Sequence, residues 1–197
     1  LKVNRSKIDN AFPLAKSLIN AAAEAGYDTF EDSNGFKQDG FGTFDVTIDN
    51  GKRQGVSRAY LNEIKGYKNL TIEHNTDVSK IIFKEKKAIG VEIKRNNYSQ
   101  IYYCNKEVIL SSGSINSPKI LQLSGIGDEK VLNQNGIDVI NHLPGVGKNL
   151  QDHLEIYIQH KSKTKDTLYN LSTNYFTQAI EGVKWFLLKK GMLTYSH

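Results

Sequence analysis

Residues 106–127 read Lys106-Glu107-Val108-Ile109-Leu110-Ser111-Ser112-Gly113-Ser114-Ile115-Asn116-Ser117-Pro118-Lys119-Ile120-Leu121-Gln122-Leu123-Ser124-Gly125-Ile126-Gly127. The continuous run up to Leu110 predicts a strand buried on both faces, with its end opening onto a cleft. Gly113 lacks a Cβ, so the chain can turn sharply there and a ligand can approach the backbone closely. A tight strand-to-helix turn explains the same glycine without a ligand. Ser117 reads as a helix cap and Pro118 as the first helical residue, with Ile120, Leu121 and Leu123 supplying the apolar face. Strand, glycine turn and helix form half of a nucleotide-binding α/β unit.

On the N-terminal side the hydrophobic period is two. Leu70-Thr71-Ile72, Val78 to Phe83, Ala88 to Lys94 and Gln100 to Tyr103 predict strands joined by charged turns, a small antiparallel meander. Further upstream, residues 9–26 carry Leu14, Leu18, Ile19, Ala22 and Ala25 at helical spacing, with Gly26 as terminator. Residues 33–55 are rich in Gly, Asp and Asn. Ser33-Asn34-Gly35 and Asn50-Gly51 mark turns there. Ser57 to Ile64 restores helical spacing. Downstream, Glu129 to Gly136 predicts a short helix, Val139-Ile140 a short strand, and Pro144-Gly145-Val146-Gly147 a turn leading into a strand from Leu154 to Gln159. Tyr175 to Leu188, with Phe176, Ala179, Ile180, Val183, Phe186 and Leu187, predicts a packed amphipathic helix. The expected fold is mixed α/β and α+β in three segments: a loop-rich helical cover over 1–68, a meander and strand-turn-helix over 69–142, and a further segment over 143–197.

Composition narrows the class. The chain has 197 residues, 39% hydrophobic and 24% charged, with 16 glycines and 3 prolines, which excludes collagen-like and disordered classes. Cys104 is the only cysteine, so neither a disulfide framework nor a thiolate zinc site is available. No apolar stretch approaches the roughly 20 residues that cross a bilayer. The net charge of +5 comes from 26 basic and 21 acidic residues. The basic residues are scattered and interrupted by acids, so the pI of about 9.1 reads as a solvated surface rather than a nucleic-acid footprint. The first residue is Leu1 and the last three follow an amphipathic segment directly, so a chain cut from something longer is expected.

Several chemistries fail on spacing. Gly145-Val146-Gly147 lacks the third glycine of a dinucleotide phosphate loop, and Gly147-Lys148 lacks the remainder of a P-loop. No serine sits in a G-x-S-x-G elbow and no histidine pair has zinc spacing, so no metal site is expected.

The fifteen residues Gly113 to Gly127 match, at every constrained position, the second signature of the glucose-methanol-choline (GMC) family of flavin oxidoreductases, and the chain resembles that family over nearly its whole length. Leu143-Pro144-Gly145-Val146-Gly147-Lys148-Asn149-Leu150-Gln151-Asp152-His153 resembles the family's segment between its flavin and substrate domains. Asn69 to Ile72 with Lys87 to Glu92 resembles its meander. The resemblance is strongest to choline-oxidising members, on Asn34-Gly35-Phe36, Gln38-Asp39-Gly40-Phe41-Gly42, Ser57-Arg58-Ala59-Tyr60-Leu61 and Gln151-Asp152-His153-Leu154-Glu155 with Tyr157.

That resemblance implies part of an FAD-binding Rossmann-like domain over 69–142 and the start of a substrate-binding domain over 143–197. FAD is the implied cofactor, with Val78, Gly113 and Ser114 beside it and the main chain of Val78 meeting the adenine. The implied reaction oxidises choline to betaine aldehyde, the step that forms glycine betaine, by hydride transfer to flavin. Choline's quaternary ammonium has no N–H to donate, so a site must hold it by charge and aromatic faces. Glu155 occupies the position of the acidic group that binds it, His153 stands where it would orient the alcohol, and Tyr175 replaces a tryptophan of the family's aromatic pair. Asp152 is expected to orient a neighbouring backbone or His153. The family's catalytic histidine and FAD phosphate loop lie outside these residues, so no catalytic residue is expected within the span and the isolated chain is expected to show no turnover. Another alcohol or a sugar as substrate, and a non-catalytic basic binding module, remain the competing readings. A cytoplasmic location, peripheral attachment at the inner membrane, and self-association are compatible with the sequence.

Overall fold

The structure, a computed structural model, describes residues 1–5, 13–96, 98–159, 161–163 and 167–194. The chain divides into two compact units, one from residues 1–70 with 158–197 and one from Thr71–Tyr157. The sequence-based division opens a new segment at 143, whereas chain contacts group residues 143–157 with the meander.

In the first unit, strand β1 (Asn4–Arg5) is followed by helix α1 (Pro13–Glu24). The expected helix start at 9–12 lies outside the described residues. The Gly- and Asp-rich stretch folds into two-residue strands: β2 (Thr29–Phe30), β3 (Phe41–Gly42), β4 (Asp45–Val46), β5 (Ile48–Asp49) and β6 (Lys52–Arg53). β2 and β3 run parallel, and β1 pairs antiparallel with β4. Between β5 and β6, Asn50 and Gly51 both take positive φ, 50° and 66°, the backbone of a tight I′ hairpin turn. A π-helical turn, Ser57–Leu61, continues into the short helix α2 (Asn62–Ile64).

The second unit is built on the meander. Strands β7 (Asp77–Lys84), β8 (Lys87–Arg95) and β9 (Tyr98–Tyr103) form one antiparallel sheet in that order. Glu85 and Asn96 take φ of 56° and 53° at the two reversals. Leu70-Thr71-Ile72, expected as a further strand, pairs with nothing among the described residues. Helix α3 (Gly113–Leu123) packs on β7, and strand β10 (Ile126–Gly127), helix α4 (Glu129–Gln134) and strand β11 (Asn141–His142) follow. β10 and β11 pair in parallel, two residues beyond the expected Val139-Ile140. Asp128 caps α4 by accepting the Lys130 N–H at 3.0 Å. Ile81, Ile93, Ile120 and Leu132, one from each of β7, β8, α3 and α4, are the buried apolar side chains of this unit.

Three expectations need correction here. The run Lys106 to Leu110 forms no paired strand among the described residues, and Ile109 is 79% exposed. A buried parallel strand requires neighbours on both sides, and the described residues supply none. Leu154 to Gln159 is likewise exposed and unpaired among the described residues, for the same reason. Helix α3 begins four residues earlier than Ser117, at Gly113, so Pro118 lies inside it. The Ser117 hydroxyl accepts the Ser112 N–H at 3.0 Å, reaching back across the first turn, while Pro118 has no N–H to offer the Ser114 carbonyl.

In the C-terminal part of the first unit, helices α5 (Leu168–Thr173) and α6 (Tyr175–Leu188) are joined by Asn174, whose side chain caps α6 by accepting from the Phe176 and Thr177 N–H groups at 3.0 and 3.3 Å. The Trp185 indole N–H donates to the Gly51 carbonyl at 2.6 Å, tying α6 to the β5–β6 turn. The helix forms as its period predicts, but Phe176, Val183, Phe186 and Leu187 are exposed rather than packed among the described residues. No helix among the described residues is long and apolar enough to cross a membrane.

The joint between β7 and α3 rests on Ser124, which is buried. Its Oγ accepts the Ile81 N–H at 2.8 Å on the edge of β7 away from β8, and donates to the Ile120 carbonyl at 2.5 Å. Removing it in Ser124→Ala leaves the Ile81 N–H buried without a partner and should cost about 1–3 kcal/mol. Thermal unfolding at a lower temperature, with faster hydrogen exchange of the Ile81 amide, is the expected result.

Candidate functional site: a cleft between the β7 edge and helix α3

The helical period divides α3 into two working faces. Ser112, Asn116, Lys119, Ile120 and Leu123 recur at spacings of three and four, so they line one side. Opposite them stand Thr76 through Lys80 of β7 and its approach, with Glu92 and Lys94 of β8. The cleft is open to solvent and measures about 680 Å³. Ser114, Ile115, Pro118 and Gln122 lie on the other side of the helix, facing a second cleft closed by Gly147 through Gln151.

The β7 side is irregular at the point that faces α3. The register steps from Val78↔Ile93 to Lys80↔Glu92, which makes Ser79 the extra residue of a β-bulge. A bulge re-aims its side chain. The Ser79 hydroxyl oxygen is buried and has no hydrogen-bond partner, while Val78 beside it stays 40% exposed. A buried hydroxyl without a partner is costly, and groups of this kind concentrate where a ligand completes them.

Gly113, at the entry to α3, has φ of 83°, a conformation that a side chain would strain. An added Cβ there would meet nothing within 4 Å, so the backbone at the turn faces open space. Three lysines, Lys80, Lys94 and Lys119, and two acids, Asp77 and Glu92, surround the first cleft. The Ser99 hydroxyl donates to Glu92 at 2.7 Å and Lys80 lies 3.4 Å from its other oxygen. The Ser99 hydrogen bond, followed by Lys80 and then the Lys94 charge, holds the Glu92 carboxyl below its ordinary value against a smaller opposing effect of burial.

The second cleft is braced by side chains on its loop. Gln122 donates to the Val146 carbonyl at 3.3 Å, and Lys148 pairs with Asp128 at 2.9 Å. The Lys148 contact, then the Lys130 N–H, depress the Asp128 carboxyl. The loop Pro144 to Lys148 is thereby pinned against α3 and α4, and the chain leaves it through residues 149–159, which form no helix and no paired strand among the described residues.

That stretch carries the residues expected on the substrate side. Asp152 accepts the His153 N–H at 2.8 Å, fixing backbone rather than the imidazole. The Tyr157 hydroxyl donates to Glu155 Oε2, and this bond raises the Tyr157 phenol above its ordinary value. Of the expected cofactor residues, Val78 lines the first cleft together with Ser112, Ser114 lines the second, and Gly113, between Ser112 and Ser114 in the chain, lines neither. His153 and Glu155 lie on the exposed stretch, and Tyr175 opens α6 in the other unit, exposed beside its capping Asn174. Ser79, Asn116 and Lys119 were not singled out in the sequence. The period-two pattern does not reveal the bulge that turns Ser79, whereas the i, i+4, i+7 spacing of Ser112, Asn116 and Lys119 was available once the helix was started at Gly113.

Comparison with known proteins places the chain in a family. The family model described as GMC oxidoreductase matches residues 1–155. The chain is 44% identical over 200 residues to the oxygen-dependent choline dehydrogenase of Staphylococcus epidermidis, covering 100% of this chain and 34% of that protein. It is 48% identical over 170 residues to the mitochondrial choline dehydrogenase of Homo sapiens, covering 86% of this chain and 28% of that one. Among solved structures, an FAD-dependent oxidoreductase from Chaetomium thermophilum superposes with a TM-score of 0.81 at 34% identity, over 93% of this chain and 33% of that chain. A formate oxidase superposes with a TM-score of 0.82 over 98% of this chain and 33% of that chain, and at 24% identity it speaks to the fold alone. The chain therefore belongs to the GMC oxidoreductase family, and it spans 34% of the length of the first of these choline dehydrogenases.

Because Glu92 is depressed when folded, its contribution to stability is complete above its ordinary value of 4.5 and is lost as pH falls through the lowered pKa. Side-chain carboxyl NMR should show Glu92 titrating below 4.5, and Ser99→Ala should move the midpoint back upward.

Proposed function

We propose that the chain is a segment of a longer FAD-dependent alcohol dehydrogenase whose substrate is choline. The cleft between the β7 edge and α3 is the observation that carries the cofactor half of this reading. An adenine ring has an edge that both donates and accepts hydrogen bonds, and the unpartnered Ser79 hydroxyl beside Val78 offers both functions. Gly113 leaves open space at the turn, and the surplus of lysines over acids around the cleft suits a phosphate-bearing group. The residues present thus fit FAD. Val78, Gly113 and Ser114 would hold it, within a flavin-binding segment over 69–142. Bound FAD supplies the two-electron acceptor for the hydrogen on the alcohol's carbinol carbon.

The remaining work falls to side chains. Glu155 holds the trimethylammonium by charge, since that group offers no N–H, and Tyr175 contributes an aromatic face from the substrate-binding segment over 143–197. His153 orients the alcohol. The base that accepts the hydroxyl proton comes from outside this span, so these residues bind and orient without completing the reaction. Whole-chain identity of 44% to a choline dehydrogenase supports the choice of alcohol. The proposed location is cytoplasmic, and cell fractionation distinguishes it from peripheral attachment at the inner membrane.

Anaerobic addition of choline to the complete flavoprotein should bleach the flavin absorbance, and the same addition to the 197-residue chain reconstituted with FAD should not. An unbleached complete flavoprotein, or a bleached isolated chain, overturns the proposal.

A further inference from the structure

We infer that Tyr157 is a positioning residue that holds the Glu155 carboxylate for a cationic substrate head and so sets the preference for a charged over a neutral alcohol. The inference rests on the reading of Glu155 as the anionic partner of the quaternary ammonium.

Residues Leu154 to Gln159 belong to no helix and to no paired strand among the described residues, and apolar and polar residues alternate along them. Leu154, Ile156 and Ile158 form the apolar set, and Glu155, Tyr157 and Gln159 the polar one. The Tyr157 O–H donates to Glu155 Oε2, leaving Oε1 for another contact. The nature of this partner matters. A lysine or arginine would neutralise the carboxylate and occupy the place of the substrate. A phenol fixes the carboxylate rotamer through one oxygen and leaves the full negative charge in place. No lysine or arginine occurs between Gln151 and Ile158, so no neighbour along the stretch cancels that charge.

Glu155 raises the Tyr157 pKa, which keeps the phenol in its donating form. The same side chain places an aromatic ring next to the carboxylate. Ring and carboxylate together are the two elements that recognise a quaternary ammonium, whose charge is spread over methyl groups without any hydrogen-bond donor. A flexible glutamate alone would have to be ordered by each substrate molecule, and that cost falls when a neighbour orders it beforehand.

The test uses the complete flavoprotein, with choline and its neutral isostere 3,3-dimethylbutan-1-ol as paired substrates. Tyr157→Phe, with flavin content matching the parent, should raise KM for choline by about 10-fold or more, the lower end of the loss expected for a hydrogen bond to a charged group. Its kcat, and KM for the neutral isostere, should stay unchanged. Tetramethylammonium binding, followed by flavin absorbance, should weaken by a similar factor. Equal changes with both alcohols would show a structural role, and no change with either would show none; both results overturn the inference. Glu155→Gln distinguishes this from a failure of the underlying reading. If it abolishes the preference for choline over the isostere while Tyr157→Phe does nothing, Glu155 stands and Tyr157 falls. If Glu155→Gln leaves that preference intact, the reading of Glu155 falls and the inference falls with it.

Discussion

The hydroxyl of Ser124 joins an edge strand to a helix, and the geometry of the cleft depends on that bond. Strand β7 borders only β8, so its outer edge carries backbone groups with no sheet partner. Ser124 takes one of them, the Ile81 N–H, and returns its own proton to the helix carbonyl of Ile120. The strand edge is thereby held against α3 at one point, while the stretch before it, from Thr76 to Lys80, is left facing the helix across the cleft. Gly125, immediately after, has φ of 82°, and an added Cβ would lie 2.4 Å from the Asp138 carbonyl, so the chain turns away tightly after the clamp. The final residues of the family signature are therefore a structural joint, and its second residue, Ser114, borders the second cleft.

A second constraint is what the chain lacks neighbours to cover. Residues 106–110 and 154–159 form no paired strand among the described residues, Ile109, Leu154, Ile156 and Ile158 are left exposed, and the apolar stripe of α6 is open as well. Extended backbone gains stability from a ladder only when another strand is present. A chain that spans about a third of its relatives' length carries such segments as surfaces awaiting the rest of a protein. Along Asp152 to Tyr157 the side chains bond with each other and with the adjacent backbone.

Much of this was legible in the residues themselves. The meander followed from its alternation, α6 from its period, the Asn50-Gly51 hairpin from its dipeptide, and the family from Gly113 to Gly127. What escaped has physical causes. Ser117-Pro118 carries a strong start signal, but Gly113 can adopt a positive φ, and this allowed the helix to begin one turn earlier with the proline inside it. Apolar content predicted burial at Val108 to Leu110 and a strand at Leu154 to Gln159, yet both depend on partners that no local pattern reports. The bulge at Ser79 arises from a mismatch between two strands and leaves no mark in either one. Glu155 and Tyr157, by contrast, are two residues apart on an alternating stretch, so their pairing could have been read from spacing alone.

The central claim is that the β7 edge and the start of α3 together receive the adenine side of FAD. Hydrogen exchange of the complete protein, measured by mass spectrometry with and without its flavin, addresses that claim directly. The account predicts that flavin slows exchange in the peptides covering Asp77–Lys80 and Ser112–Ser114. Unchanged exchange in both peptides, with protection confined to other parts of the protein, would contradict it.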